Sequence, residues 1–141
     1  MYTVDASVWV NGSNPAEPGH ALSRALLNTL AARAIPLILP WLVLPEVAGA
    51  ISRSRRDPLR GAAFAQTLAH LPHVAFVQLD DTNAGAVAAL AARVGLRGAD
   101  ALYAAVAQAH STTLISLDRE HHTRLVGIVP VLTPAAALAQ L

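Results

Sequence analysis

The chain has 141 residues, 54% of them hydrophobic and only 13% charged, with a net charge of +1. That length suits a single domain able to bury a core, and no apolar run approaches the roughly 20 residues that cross a bilayer. There is no cysteine, which excludes disulfides and thiolate metal sites, and no basic segment leads into an apolar one at the start, so a cytoplasmic protein without a membrane anchor is expected.

Taken in order, YTV (2–4) reads as a short buried strand. HALSRALLNTLAARA (20–34) sets Leu22, Leu26 and Leu30 at helical spacing and stops before Pro36. PLIL (36–39) reads as a strand, and Pro45 is suited to open the helix EVAGAISRSRR (46–56), with another helix after Pro58. VAFVQL (74–79) reads as a strand, DDTNAGAVAALAARV (80–94) and ADALYAAVAQAH (99–110) as helices, TTLISL (112–117) as a strand, and GIVPVL (127–132) as a last strand before a terminal helical turn. Strands alternating with helices predict an α/β fold with a parallel sheet covered on both faces. No internal repeat or low-complexity linker divides residues 1–141.

Nine carboxylates are few enough to place one by one. Asp5 follows the first strand, Glu46 sits behind Pro45, Asp100 opens its helix, and Asp118 follows TLISL. All four stand where a strand or loop hands over to a helix. In a parallel α/β sheet those handovers gather along one edge, where such folds hold their ligands. Asp and Glu also favour helix N-termini for capping and for the dipole, which is the alternative at each position. It suffices for Glu17, Asp57, Asp80 and Asp81, which lie in polar or turn-like surroundings. Asp5, Glu46 and Asp100 instead have apolar neighbours on both sides. Carboxylates clustered in a poorly hydrated crevice repel, and a divalent cation is the natural neutraliser. Oxygen-only ligands favour Mg²⁺ or Mn²⁺ over zinc.

The ordered set VDASVWV, LPEVAGA, GADALYAAVA and LISLD resembles the four acidic motifs of PIN-domain ribonucleases, particularly the VapC toxins of bacterial toxin–antitoxin pairs. The resemblance covers nearly the whole chain in order and spacing. It implies a three-layer α/β/α sandwich around a mostly parallel sheet, a Mg²⁺-dependent RNA endonuclease site, an antitoxin that blocks it, and a homodimer. By position, Asp5, Asp100 and Asp118 would hold metal directly or through water, with Glu46 a further ligand or an orienter of water. Ser7 matches a hydroxyl near the family's first acid. Ser116 stands where the family commonly has Thr, and keeps the hydroxyl. REHH (119–122) replaces the aromatic that often follows the last acid, leaving Glu120 open as an extra ligand or a solvated helix residue.

Such a site needs no side-chain nucleophile, because the metal supplies activated water for in-line attack on phosphorus. That agrees with the absence of Cys, of a G-x-S-x-G elbow and of any lysine. Neither histidine pair, His70 with His73 nor His121 with His122, has the i, i+4 spacing of a helical zinc site. Trp9, Trp41, Phe64 and Tyr103 read most simply as core or interface residues. The cluster Arg53, Arg55, Arg56 and Arg60 is either a solvated helical face or a surface for RNA phosphates or a partner. Two other readings remain: an inactive domain of the same fold serving as a binding module, and an unrelated doubly wound nucleotide-binding domain. The latter needs a glycine-rich loop after the first strand, where only Gly12 is found.

Overall fold

In the computed structural model, which describes residues 1–141, five short strands form one sheet in which every adjacent pair is parallel. The elements are β1 (Tyr2–Val4), α1 (Ala6–Ser13), α2 (His20–Ala32), β2 (Leu37–Pro40), α3 (Val43–Arg55), α4 (Pro58–Ala69), β3 (Val74–Val77), α5 (Ala84–Val94), α6 (Gly98–Ala109), β4 (Thr113–Ile115), α7 (Arg119–Arg124), β5 (Val131–Leu132) and α8 (Pro134–Leu138). Consecutive residues of a strand point to opposite faces. Thr3 and Val4 are both fully buried, as are Leu114 and Ile115, so both faces of the sheet centre are covered. Helix α6 lies against β1, β2 and β4 with α5 packed on it; α1 packs on α2 and α3, α3 on α4, and α2 on α8. The result is a three-layer α/β/α sandwich. No helix is long and apolar enough to cross a membrane.

The strand order is β3-β2-β1-β4-β5. From β1 the chain builds outward through β2 to β3, then returns to place β4 and β5 on the other side. The order therefore reverses between β1 and β4, and the carboxyl ends of those two strands flank the position where open α/β sheets bind ligands.

Several local expectations are corrected. The helices expected to follow Asp5 and Asp118 are present at residues 6–13 and 119–124, with bounds that the apolar pattern does not set. Helix α3 begins at Val43 rather than behind Pro45. Pro45 is tolerated there because the first-turn amides of a helix have no intrahelical acceptor to lose. Strand β4 ends at Ile115, which leaves Ser116 and Leu117 in the turn beyond it. In α2, Leu26 and Leu30 are fully buried but Leu22 is 46% exposed, so the apolar stripe begins a turn later than the spacing predicts.

Candidate functional site

Four acids reach one place from four elements. Asp5 sits at the N-cap of α1, Glu46 and Asp100 in the first turns of α3 and α6, and Asp118 at the N-cap of α7. All four line one crevice of about 510 Å³, shared with Ser7, Asn11, Glu17, Arg53 and Leu117. A more apolar cleft of about 270 Å³ between Trp9, Leu27 and Phe64 contains no carboxylate. Of the two, the acidic crevice is the one that gathers carboxylates.

Capping accounts for one of these acids. Asp118 Oδ1 accepts the Glu120 amide at 2.8 Å, as an N-cap should. Asp5 occupies a cap position, yet its side chain makes no cap bond. Instead its Oδ2 accepts hydrogen bonds from Ser7 Oγ at 2.5 Å and Ser116 Oγ at 2.9 Å, while the residue is only 6% exposed. Two hydroxyls thus fix a nearly buried carboxylate in place. Ser7 Oγ also accepts the Leu117 amide at 3.2 Å, which ties the β4–α7 turn to α1.

Glu46 is coupled to its neighbours by field as well as by contact. Burial raises its pKa most, the Tyr103 hydrogen bond opposes that, the Asp5 and Asp100 charges raise it, and Arg97 lowers it, leaving it above the ordinary glutamate range. Tyr103 donates its hydroxyl to Glu46 Oε2 at 2.5 Å. Burial first, then the Glu46 charge, pushes the phenol far above its usual value, so it remains a donor. Tyr103 belongs to the core, as the sequence suggests, and also fixes a site carboxylate. Its place three residues after Asp100 on one helix face was the available signal.

Other members are not legible in the sequence. His121 is fully buried, with Nδ1 2.8 Å from Ser116 Oγ and Nε2 3.2 Å from the Asp100 carbonyl oxygen, linking the supports of two acids. His122 Nε2 lies 2.9 Å from the Ser116 carbonyl oxygen. Glu120 faces Arg124 at 3.6 Å and is not among the residues lining the crevice. Glu17, assigned from sequence to polar surroundings alone, lines the crevice, held by the side-chain amides of Asn11 at 3.2 Å and Asn14 at 3.0 Å. Arg97 contacts Asp100 Oδ2 through Nε at 2.9 Å and approaches Asp118 Oδ2 through Nη2 at 3.7 Å.

The arginine cluster divides. Arg53 lines the crevice. Arg55 Nη2 donates to the Ser13 carbonyl oxygen at 3.2 Å and so joins α3 to the end of α1. Arg56 is the left-handed C-cap of α3, and Arg60 lies in the first turn of α4 with its amide capped by Asp57. No three His, Asp or Glu side chains form a ready-made cation cage. The donors are nevertheless all oxygen, and at Glu46 the Asp5 and Asp100 charges add to the burial that raises its pKa.

None of the curated proteins matches the sequence. Solved structures do match. The Mycobacterium tuberculosis VapC20, a toxin that cleaves the sarcin–ricin loop, is 19% identical, with 84% of this chain and 91% of that chain covered and a TM-score of 0.71. PAE2754 from Pyrobaculum aerophilum is 23% identical, covering 99% of this chain and 95% of that one at a TM-score of 0.70. A chain of the Rickettsia felis VapBC2 complex, bound to a DNA fragment from its promoter, is 14% identical, covering 94% and 97% at a TM-score of 0.68. At these identities the likeness shows the fold. The PIN domain model, in contrast, matches the sequence itself over residues 2–125, from β1 through the last of the four acids, and the chain therefore belongs to the PIN domain family.

Proposed function

We propose that this protein is a Mg²⁺-dependent endoribonuclease, with Mn²⁺ as an alternative ion, and the toxin of a VapC-type toxin–antitoxin pair. The carrying observation is the convergence of Asp5, Glu46, Asp100 and Asp118, from four separate elements, on the switch point of the sheet. Family membership and the toxin structures among the solved relatives support a nuclease kept in check by an antitoxin. Family membership also removes the unrelated nucleotide-binding domain.

The residues suit the ion. Mg²⁺ retains several waters and takes one or two carboxylates together with substrate phosphate, so it needs no complete protein cage. Asp5, Asp100 and Asp118 would hold it, directly or through water, and Glu46 would complete the set or orient water. When bound, such an ion makes water nucleophilic at neutral pH and neutralises charge building on the phosphoryl group. Ser7 and Ser116 hold Asp5 in place, Tyr103 holds Glu46, and Arg53 stands at the crevice to meet the RNA backbone.

The test is cleavage of single-stranded RNA in Mg²⁺ and in EDTA, with the product ends identified. Hydrolysis by activated water leaves the ribose 2′-hydroxyl unused, so fragments should carry 5′-phosphate and 3′-hydroxyl ends. Asp5→Asn and Asp100→Asn should abolish cleavage and remain folded. Cleavage that persists in EDTA, or 2′,3′-cyclic phosphate ends, would overturn the mechanism; no cleavage by a protein that binds the ion would favour an inactive binding module. Light scattering of the purified chain tests the expected homodimer, and copurification with the product of a coexpressed neighbouring gene tests the antitoxin.

A further inference from the structure

Of the ten arginines, Arg97 alone makes ion pairs with the crevice acids. It is the N-cap residue of α6, and its carbonyl oxygen accepts the Ala101 amide at 2.9 Å, so the backbone from which the side chain extends is fixed. The side chain itself is 76% exposed and is held beside two of the crevice acids only by Oδ2 of Asp100 at 2.9 Å and Oδ2 of Asp118 at 3.7 Å. These two acids belong to different elements, and the guanidinium is the one side chain that spans them. Asp118 has committed Oδ1 to capping α7. Its Oδ2 makes no hydrogen bond within the chain and is the less engaged oxygen to offer a cation, and Arg97 stands beside it.

We propose that Arg97 is an exchangeable counter-ion: it neutralises Asp100 and Asp118, yields their Oδ2 atoms to an incoming divalent cation, and then holds a phosphate of the bound RNA. The inference rests on the metal-dependent reading of the site. Arginine suits the exchange because its planar fork stays charged and pairs with carboxylate and phosphate alike. The guanidinium is also exposed, although Asp100 and Asp118 are half-buried, so the pair biases the equilibrium by only about two- to fivefold. A divalent cation can displace it, whereas a buried pair would close the site. The alternative is a purely structural staple between α6 and the α7 turn.

Mn²⁺ affinity, read from the loss of the free-ion electron paramagnetic resonance signal, separates the two roles without using activity. Arg97→Ala should bind Mn²⁺ about two- to fivefold more tightly than the parent, with Arg97→Lys in between. In an Asp5→Asn background, which prevents cleavage, Arg97→Ala should weaken single-stranded RNA binding in Mn²⁺ and flatten its log–log salt dependence by about 0.7. Unchanged or weaker Mn²⁺ binding, with a lowered melting temperature in EDTA, is the signature of a staple and overturns the exchange. Unchanged RNA affinity overturns it equally. If the parent protein binds no Mn²⁺ at all, the metal-dependent reading itself falls, an outcome distinct from both.

Discussion

Asp118 uses one oxygen to cap α7 and turns the other to the crevice, so its two roles can be separated by a single substitution. Asn caps helices as well as Asp does. Asp118→Asn should therefore change the unfolding free energy by no more than about 0.5 kcal/mol, yet lower RNA cleavage by at least about 100-fold, the upper range for disturbing a metal's surroundings. Wild-type cleavage by a folded Asp118→Asn protein would reduce the residue to a cap. Glu46 gives a second residue-level test. Burial, then the Asp5 and Asp100 charges, hold its carboxyl above the ordinary range in the folded chain. For a carboxyl raised in this way, the favourable contribution is complete below the unfolded value and is lost as pH rises through the folded one. Glu46→Gln keeps an acceptor for Tyr103 and removes the charge. It should raise the unfolding free energy at pH 7 by on the order of 1 kcal/mol given the partial exposure, read as a higher melting temperature, and change little near pH 4, roughly the unfolded value. A loss at pH 7 would mean that the Tyr103 bond to the carboxylate outweighs the burial cost. The four acids were legible because each occupies a strand-to-helix or loop-to-helix handover. Tyr103 and Glu46 are 57 positions apart, and Arg97 reaches Asp118 across a strand; only folding creates those pairs.

At the level of elements, legibility followed hydrophobic period. Strands β1, β2 and β3 and helices α2, α5 and α6 follow the apolar runs and stripes that announce them. ASVWVNGS does not, because its β-branched and aromatic residues carry no clear helical stripe, yet burial of Val8 and Trp9 makes it α1. REHHTR is six residues with no stripe at all, and becomes α7 through its Asp118 cap and the burial of His121. The closest helix pairing was equally hidden. A Cβ on Gly61 would collide with the Ala48 carbonyl oxygen and crowd Ser52, so α4 approaches the α3 backbone in a way only glycine permits. Gly61→Ala should force the two helices apart at a cost of about 1–3 kcal/mol, measured by thermal or urea unfolding. Helix α3 also carries Glu46 and Arg53, so RNA cleavage per folded molecule should fall as well. An unaltered melting temperature would show that the α3–α4 contact relaxes at no cost.

For the molecule as a whole, the sheet order decides which residues meet. Because the order reverses between β1 and β4, Asp5 and Asp118 emerge side by side although 113 positions separate them, and α3 and α6 deliver Glu46 and Asp100 to the same edge. Sequence could place acids at handovers; it could not say which basic residues share their edge. The arginine-rich stretch looks like one patch in the sequence, but a helix end and a turn divide it. Arg53 faces the crevice, Arg55 is engaged with Ser13, and Arg56 and Arg60 lie beyond the end of α3. An RNA strand whose phosphate enters the acidic crevice should therefore meet Arg53 and pass Arg60 by. Each phosphate contact on a single strand contributes about 0.7 to the slope of log affinity against log salt concentration. In the Asp100→Asn background, Arg53→Ala should weaken RNA binding and flatten that slope by about this amount, whereas Arg60→Ala should leave both unchanged. Arg55→Ala should instead lower the melting temperature, since it removes a half-buried bond between α3 and α1. Equal flattening by Arg53→Ala and Arg60→Ala would mean that the backbone runs along the α3–α4 corner, outside the crevice, and the path assigned to the RNA would have to be redrawn.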